Sequence, residues 1–308
     1  MASTSSSSRK VVIITGATNG IGRDLAERLH ARGYNVAITG RRIQEGETFA
    51  AQLDPEGDTS LFVECHVQDY ESQVAVFRTV WRKWARLDAL IANAGIVDVG
   101  SRYNLARKDV SVDDIPPCPD LSCTDADFKG VVYGTELAVH YMRHNPGGSR
   151  GKIIVTGSIA AIYPLPTLPE YCAAKAAVLQ WVRVMAPVLG KEDITINVVL
   201  PNAYNTGILP NFEEAYLDKH LTKKECLMSA YDIFLEDDTN KQNGQAIETA
   251  YESHYSHNVP PYKSGYVIER TDKVYEPWFE MMHQRQSGLE NSYKEPLRKI
   301  AEKKDAHE

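Results

Sequence analysis

The sequence predicts an α/β fold, in which a doubly wound parallel sheet of about seven strands forms a single domain with a C-terminal lid and extension. Short β-branched runs such as VVIIT (11–15) lack the polar alternation of half-exposed strands, so both faces of the sheet are expected to be covered. Segments with helical periodicity separate these runs, and right-handed crossovers then join parallel strands. The 308 residues show no internal repeat and no linker that would divide them into two independent domains.

The predicted elements alternate regularly up to residue 201. The first strand leads through a Gly-containing turn into RDLAERLHARG, where Leu25 and Leu29 share one helical face and Gly33 is placed to end the helix. Residues 97–123 are polar and interrupted by prolines, which indicates a loop after the fourth strand. Further strands are predicted at 35–39, 60–67, 87–93, 152–158, 194–200 and 244–251, and helices at 71–85, 124–144, 171–190, 211–221, 225–237 and within YEPWFEMMHQ.

The expected domain organisation has three parts. Residues 1–9 are Ser-rich and are predicted to be a disordered tail. Residues 10–251 form the domain, with a lid insertion at about 202–240, and residues 252–308 form a C-terminal extension.

Charge and composition exclude several classes of function. The formal net charge is −7 and no basic block is present, so we expect neither a nucleic acid nor an anionic membrane as a partner. No uninterrupted apolar run has the length that a bilayer needs, and the N-terminal stretch lacks the apolar core of a signal peptide. The five cysteines have no paired short spacings, which predicts no metal site, no disulfide framework and a cytoplasmic location.

The turn after the first strand has the glycine pattern of a dinucleotide-binding loop. TGATNGIG (15–22) lies directly between a strand and a helix. Gly16 suits the tight turn, Gly20 lets the backbone approach a pyrophosphate, and Gly22 lets helix and strand come close. The free amides at the helix N-terminus would face the phosphates. An ordinary Gly-rich connection is the alternative interpretation.

The end of the second strand predicts which dinucleotide is bound. Sites for NAD usually have an acidic residue here, whereas this chain has Gly40 followed by Arg41 and Arg42. A guanidinium binds a 2′-phosphate well, so the sequence predicts NADP(H). Solvated surface arginines are the alternative.

PEYCAAKAAV (169–178) carries Tyr171 and Lys175 one helical turn apart. It is the only Tyr-x-x-x-Lys in the chain, although chance alone predicts about one. Ser158 makes the pattern more specific, because it ends the strand KIIVTGS, where ligands bind in open parallel sheets. A tyrosine with its ordinary pKa of about 10 is a poor acid at neutral pH, and a neighbouring ammonium stabilises the phenolate. Tyr171 would then give its proton to a developing alkoxide while Ser158 holds the same oxygen.

Together these motifs resemble the short-chain dehydrogenase/reductase family. The resemblance covers roughly residues 10–250 and rests on TGATNGIG, NAG (93–95), Ser158 with YCAAK (171–175), and INVVLP before a loop that ends in Thr206. It implies a Rossmann-type fold. Within the family, the sequence is similar to fungal 15-hydroxyprostaglandin-dehydrogenase-like reductases of secondary metabolism.

The resemblance implies roles for the matching residues. Tyr171 would be the general acid/base, Lys175 would bind the nicotinamide ribose, and Ser158 would orient the carbonyl. Asp127 stands where the family often has an asparagine that supports a water-mediated proton relay. The cofactor would be bound by Gly16, Thr18, Asn19, Gly20, Ile21, Arg41, Arg42, His66, Val67, Asn93, Ala94, Gly95, Tyr171, Lys175, Pro201, Asn202, Ala203 and Thr206.

Four features depart from the family pattern. Asp127 replaces the relay asparagine, so the relay is expected to titrate differently. His66 replaces an aspartate that bonds adenine, and is either a weaker adenine contact or a plain strand-end histidine. Asn202 replaces a glycine and is expected to tolerate a left-handed backbone at some cost. The segment after Thr206 is about a hundred residues long, and much of it has no counterpart in the family.

We therefore expect an NADP(H)-dependent ketoreductase or alcohol dehydrogenase that acts on a carbonyl or alcohol of a medium-sized, apolar metabolite. The alternative is a non-redox isomerase, dehydratase or cyclase that reuses the pocket, motivated by Asp127, His66, Asn202 and the long lid. A third hypothesis, a cofactor-binding protein without turnover, is disfavoured by the intact catalytic set. The resemblance also implies a homodimer or homotetramer formed through the helices near 124–144 and 171–190.

Overall fold

The computed structural model describes residues 9–103, 107–209, 211, 216–261, 263, 274–290 and 292–294. The chain forms two compact units, residues 1–257 and residues 258–308. Every residue predicted for the site lies in the first unit.

An eight-stranded sheet forms the centre of the first unit, in the order β3-β2-β1-β4-β5-β6-β7-β8. Strands β1 to β7 are parallel and β8 pairs antiparallel with β7. The predicted doubly wound parallel sheet is thus confirmed, with β8 as an additional strand. Sequence patterning missed β8 because its four residues, SHYS, are all exposed. The bounds are β1 Val11–Ile14, β2 Asn35–Gly40, β3 Ser60–Glu64, β4 Ala89–Ala92, β5 Gly151–Thr156, β6 Ile194–Pro201, β7 Ala246–Ala250 and β8 Ser253–Ser256.

Helices cover both faces of this sheet, as its buried central strands require. They are α1 Gly20–Ala31, α2 Ile43–Leu53, α3 Tyr70–Trp84, α4 Ser122–Thr124, α5 Gly130–Met142, α6 Pro169–Leu189 and α7 Lys224–Leu235. One core contains apolar side chains of α1, α2 and α7, including Leu25, Phe49 and Phe234. The other contains side chains of α3, α5 and α6, including Phe77, Leu137 and Val178.

The helix predicted at 124–144 is not a regular α-helix. A π-helical turn, Asp125–Lys129, joins α4 to α5. Such turns insert an extra residue into a helix and frequently lie at functional sites. Asp127 is at the centre of this turn and is fully buried.

The segment predicted as a lid at about 202–240 contains a core helix. Leu227, Met228 and Phe234 of α7 are buried in the core on the α1 side of the sheet. The helix predicted at 211–221 is represented by a short 3₁₀ turn, Asp218–His220, while residues 212–215 lie outside the described part. In the second unit, YEPWFEMMHQ forms α8, Glu276–His283.

One helix among the described residues, Pro169–Glu192, is long and apolar enough to cross a membrane by length and composition. Val178, Leu179 and Val182 on its inner side belong to the core of the sheet. Core helices of this kind meet the same criteria, so this is weak support for a membrane span.

Candidate active site

The predicted site residues meet at the carboxyl edge of the sheet. Strand order reverses between β1 and β4, and open α/β sheets bind ligands in the crevice outside such a point. The turn at 15–20 follows β1, Asn93 follows β4, Ser158 follows β5 and Asn202 follows β6. Parallel strands therefore place motifs that are far apart in sequence along one edge.

The glycine loop has the close backbone approaches that its sequence predicts. Gly16 has φ of +65°, and a Cβ there would lie 2.8 Å from the Cα of Ala94. Gly20 has φ of +53°, and a Cβ there would lie 2.8 Å from the Cγ2 of Thr206. The Asn19 side chain accepts a hydrogen bond from the amide of Gly20, at the start of α1. These residues leave a backbone cradle at a helix N-terminus that fits the pyrophosphate of a dinucleotide.

Asn93 links this loop to strand β5. Its Nδ2 donates to the carbonyl of Thr15 at 2.9 Å and to that of Gly16 at 3.3 Å. Its Oδ1 accepts from the hydroxyl of Thr156 at 3.1 Å, and that hydroxyl lies 2.8 Å from the buried hydroxyl of Tyr231. Because Thr156 donates to Asn93, Tyr231 must donate to Thr156. Sequence reasoning found Asn93 but missed Thr156 and Tyr231, whose strand and helix positions carry no motif.

The residues predicted for the adenosine end line a more open part of the edge. Arg41 and Arg42 are exposed after β2, and neither guanidinium has a hydrogen bond or ion pair within the described residues. His66 is exposed, and its Nε2 lies 3.4 Å from a carboxylate oxygen of Glu64. Val67 lies against Gly130, where a Cβ would be 3.1 Å from the Val67 Cβ.

Lys175 is the most constrained side chain of the predicted catalytic set. It is buried in α6, and its Nζ donates to the carbonyl of Thr156 at 2.9 Å. The same Nζ lies 5.5 Å from the ring centroid of Tyr171. Burial acts to lower the pKa of Lys175, but the Asp127 carboxylate raises it above its ordinary value on balance. The ammonium beside Tyr171 is therefore a fixed positive charge.

Tyr171 and Ser158 keep side-chain groups available for a ligand. The Ser158 hydroxyl accepts from the amide of Ala160 at 3.1 Å, which leaves its own proton free to be donated. The Tyr171 hydroxyl has no hydrogen-bond partner within the described residues, and no hydrogen bond joins it to Ser158. Ser158 follows the end of β5, and Tyr171 lies in the first turn of α6.

Asp127 contacts Lys175 directly. Its Oδ2 lies 3.1 Å from the lysine Nζ and has no other polar partner in the described part of the chain, while its Oδ1 accepts from the amide of Ile96 at 2.7 Å. The resemblance to the family implies a water-mediated relay at Asp127, whereas in the structure this residue is the immediate ionic neighbour of the lysine. Burial raises the pKa of the Asp127 carboxyl, although the nearby ammonium opposes this.

Two further acidic residues at the start of α6 were not predicted. Asp98, in the loop after β4, accepts from the amides of Glu170 and Tyr171 at 3.0 and 2.8 Å. The buried Glu170 carboxylate accepts from the Thr124 amide at 2.8 Å and from Arg102 at 2.9 Å. These contacts fasten the loop after β4 to the helix that carries Tyr171.

The segment after β6 is held by backbone and side-chain hydrogen bonds. The Asn202 amide donates to Thr249 at 3.0 Å, and its side chain donates to Glu248 at 3.3 Å. Asn202 does not have a positive φ, so its expected tolerance of a left-handed backbone is not called upon. A glycine is not required there because the segment simply continues the pairing with β7. Pro201 ends β6, and the carbonyl of Ala203 accepts from the amide of Thr222.

A model of the short chain dehydrogenase family matches residues 10–217, more than half of the chain. This chain belongs to that family. Short-chain dehydrogenases are oxidoreductases that use a nicotinamide cofactor and act on small molecules. The oxidoreductase class expected from the motifs is thus confirmed at the level of the family.

Two curated relatives are informative. The chain is 43% identical over 290 residues to the short-chain dehydrogenase/reductase prx6 of Penicillium rubens, covering 91% of this chain and 96% of the relative. It is 32% identical over 209 residues to human 15-hydroxyprostaglandin dehydrogenase [NAD(+)], covering 67% of this chain and 72% of the relative.

A solved structure supports the fold. The chain resembles 3-ketoacyl-(acyl-carrier-protein) reductase from Brucella melitensis complexed with NADH, with a TM-score of 0.66 and 23% identity. The match covers 78% of this chain and 96% of that one. Within the described residues of this chain, no group of three or more His, Cys, Asp or Glu side chains is placed to hold a metal ion.

Proposed function

We propose that this short-chain dehydrogenase is NADP(H)-dependent and interconverts a ketone or aldehyde with an alcohol on a medium-sized, apolar secondary metabolite. In this proposal Tyr171 is the general acid/base and Ser158 orients the reacting oxygen. The observation that carries it is the buried Lys175 ammonium, held by the Thr156 carbonyl beside the ring of Tyr171.

Each catalytic side chain has a separate task in the proposed reaction. The nicotinamide, when bound, supplies or accepts the hydride. During reduction Tyr171 donates its hydroxyl proton to the carbonyl oxygen, and the Lys175 ammonium stabilises the phenolate that remains. Ser158 donates a hydrogen bond to the same oxygen, where negative charge develops. During oxidation the phenolate takes the proton back from the alcohol.

The proposed cofactor contacts follow from the glycine loop and the end of β2. Gly16, Thr18, Asn19, Gly20 and Ile21 would bind the pyrophosphate and ribose. Thr206 would lie over the same loop, since its Cγ2 is 2.8 Å from where a Cβ on Gly20 would be. Asn93, Ala94, Gly95, His66, Val67, Pro201, Asn202 and Ala203 would line the remaining cofactor site.

The proposed preference for NADP(H) rests on Arg41 and Arg42. Both side chains are exposed after β2, and the last residue of that strand is Gly40, which cannot bond the ribose hydroxyls through a carboxylate. The human relative is a 15-hydroxyprostaglandin dehydrogenase [NAD(+)], so the choice between NADP(H) and NAD(H) has to be measured for this chain.

The test is a titration with NADPH and NADH followed by turnover on a panel of apolar ketones and aldehydes. We expect tighter binding of NADPH, and alcohol formation that equals the loss of reduced nicotinamide. Arg41→Ala should weaken NADPH binding about 10- to 100-fold while leaving NADH unchanged, because it removes a charge-assisted phosphate contact. Arg82→Ala, an exposed arginine in the last turn of α3, is the matched control. Equal binding of both cofactors by the wild-type chain would contradict the NADP(H) proposal.

The same assay separates the other candidate functions. A product of unchanged oxidation state, formed without loss of NADPH absorbance, would favour an isomerase, dehydratase or cyclase. Stoichiometric NADPH binding without turnover across the panel would favour a binding protein.

We also propose self-association as a homodimer or homotetramer, and a cytoplasmic location. The outer side of α6 exposes Val184 (57%) and Val188 (42%), which a second copy would cover. Light scattering of the purified chain measures its mass directly, and a monomer at micromolar concentration would contradict this part of the proposal.

A further inference from the structure

The pair Tyr171 and Lys175 lies among three carboxylates. Asp127 lies on the π-helical turn and Asp98 in the loop after β4, while Glu170 directly precedes the tyrosine. Among the described residues, the cations paired with these carboxylates are Lys175 itself and Arg102. Two cations against three anions leave the surroundings of the catalytic tyrosine with a negative balance.

These carboxylates have different partners. Asp98 accepts from two backbone amides at the N-terminus of α6, where the helix dipole favours a negative charge. Glu170 is paired with Arg102 at 2.9 Å. Among the residues that the structure describes, Asp127 alone is in ionic contact with Lys175, at 3.1 Å, with side-chain exposures of 0% and 4%. Its charge therefore acts on the ammonium with little screening by water.

The Asp127 carboxylate has little freedom to leave this position. Its Oδ1 is held by the Ile96 amide at 2.7 Å. Gly95 passes so close that a Cβ there would lie 2.7 Å from Oδ2. The neighbouring Cys123 thiol adds no further charge, because burial first, and then the nearby carboxylates, raise its pKa to about 12.

We propose that Asp127 is a positioning residue that serves as the permanent counter-ion of Lys175, so that Tyr171 keeps its proton to a higher pH than it would beside an unpaired ammonium. The inference rests on the proposed acid/base role of Tyr171 and specifies its pH dependence. An ammonium that is paired with a carboxylate stabilises the phenolate less, because the negative charge at 3.1 Å offsets the field of the ammonium. The proton donor for carbonyl reduction then persists into alkaline solution, and alcohol oxidation begins only at higher pH.

The test compares pH profiles of kcat/KM in both directions for wild type, Asp127→Asn and Asp125→Asn. Asp125 is the matched control, because it lies on the same π-helical turn but forms an exposed pair with Lys129. We expect Asp127→Asn to move the midpoint of both profiles downward by about one pH unit, as expected for removing a buried charge near the site. Asp125→Asn should leave the midpoints in place. An unchanged or raised midpoint in Asp127→Asn would overturn the proposal.

A direct titration of the tyrosine separates this inference from the proposed function. In NMR spectra of the protein labelled with ¹³C-tyrosine, the signal of Tyr171 is identified as the one that Tyr171→Phe lacks. The pH dependence of this signal can be measured without turnover. A lower midpoint of that signal in Asp127→Asn supports the counter-ion role even if every carbonyl in the panel fails. An identical midpoint overturns it even if the enzyme is active. Asp127→Ser, which also removes the carboxylate and leaves a smaller polar side chain, serves the same comparison should the asparagine variant not fold.

Discussion

Removing the ammonium of Lys175 should destabilise the folded chain strongly. Lys175→Met would leave the fully buried Asp127 carboxylate without its ionic partner. Breaking a buried pair by removing one member costs about 3–5 kcal/mol. Protonating Asp127 instead, from an ordinary value of 3.8 at neutral pH, costs about 4 kcal/mol at 1.4 kcal/mol per unit. The two routes agree in size, so we expect a loss of about 4 kcal/mol in the free energy of unfolding at pH 7.

The same variant should become more stable as the pH falls. With its partner gone, folded Asp127 holds a proton that the unfolded chain releases above its ordinary pKa, so the folded state binds more protons. Stability then decreases by about 1.4 kcal/mol for each unit of rising pH in this range, and lowering the pH from 7 to 5 should recover about 2.7 kcal/mol. Urea unfolding at several pH values measures both the loss and its recovery.

A double-mutant cycle provides the control. Combining Lys175→Met with Asp127→Asn should restore part of the loss, whereas the exposed pair Lys129 and Asp125 should show a coupling of at most about 0.5 kcal/mol. Additive effects at the buried pair, or a loss that does not depend on pH, would refute the assignment of a buried ion pair.

Three further changes test the surrounding structure. Gly20→Ala should raise KM for the cofactor about tenfold or more, because a left-handed non-glycine residue is strained by about 1–2 kcal/mol and its Cβ would lie 2.8 Å from the Cγ2 of Thr206; an unchanged KM would argue against this loop as the phosphate site. Asp98→Ala should lower the free energy of unfolding by about 1–2 kcal/mol and reduce kcat, since it removes the cap from the first turn of α6. Denaturant titration and steady-state kinetics measure the two effects, and wild-type values of both would contradict the prediction. Hydrogen bonds from Thr59, in the turn before β3, lower the pKa of the Asp54 carboxyl to about 2, so its contribution to stability is present above pH 3.8 and is lost as the pH falls toward 2. Asp54→Asn should therefore show a shallower loss of stability in acid than wild type, and parallel curves would contradict this.

The fold could be predicted because buried parallel strands are continuous, largely apolar runs. Strands β1, β2, β4, β5 and β6 have this pattern, and each ends near a residue of the site. Two of the elements that depart from such patterns are β8, which is entirely exposed, and the π-helical turn. A π-helical turn has no hydrophobic period of its own, so the sequence at 124–144 predicts one continuous helix.

The positions of the proposed catalytic residues form a pattern in the sequence, but their electrostatic surroundings do not. Ser158, Tyr171 and Lys175 stand at spacings that carry a motif. Asp98 lies 72 residues before Glu170 and meets it only because the loop after β4 returns to the start of α6. Such long-range contacts between ordinary polar residues leave no local pattern in one sequence.

The support behind Asn93 illustrates the same limit. The motif NAG predicts the asparagine, yet the hydroxyl groups behind it come from β5 and α7. A buried tyrosine such as Tyr231 gives a sequence signal only for the core, and its hydrogen bond to Thr156 follows from the packing of α7 on the sheet.

The acid/base role of Tyr171 is tested most directly by the single-turnover rate of hydride transfer from bound NADPH in wild type and Tyr171→Phe. Tyr34→Phe serves as the control for loss of a tyrosine hydroxyl. Tyr34 directly precedes β2, at the amino end of the strand, whereas the site lies at the carboxyl edge of the sheet. We expect Tyr171→Phe to bind NADPH as wild type does and to transfer hydride about 10²- to 10⁴-fold more slowly, the usual contribution of a general acid. A Tyr171→Phe variant that keeps the wild-type rate would contradict the proposed chemistry.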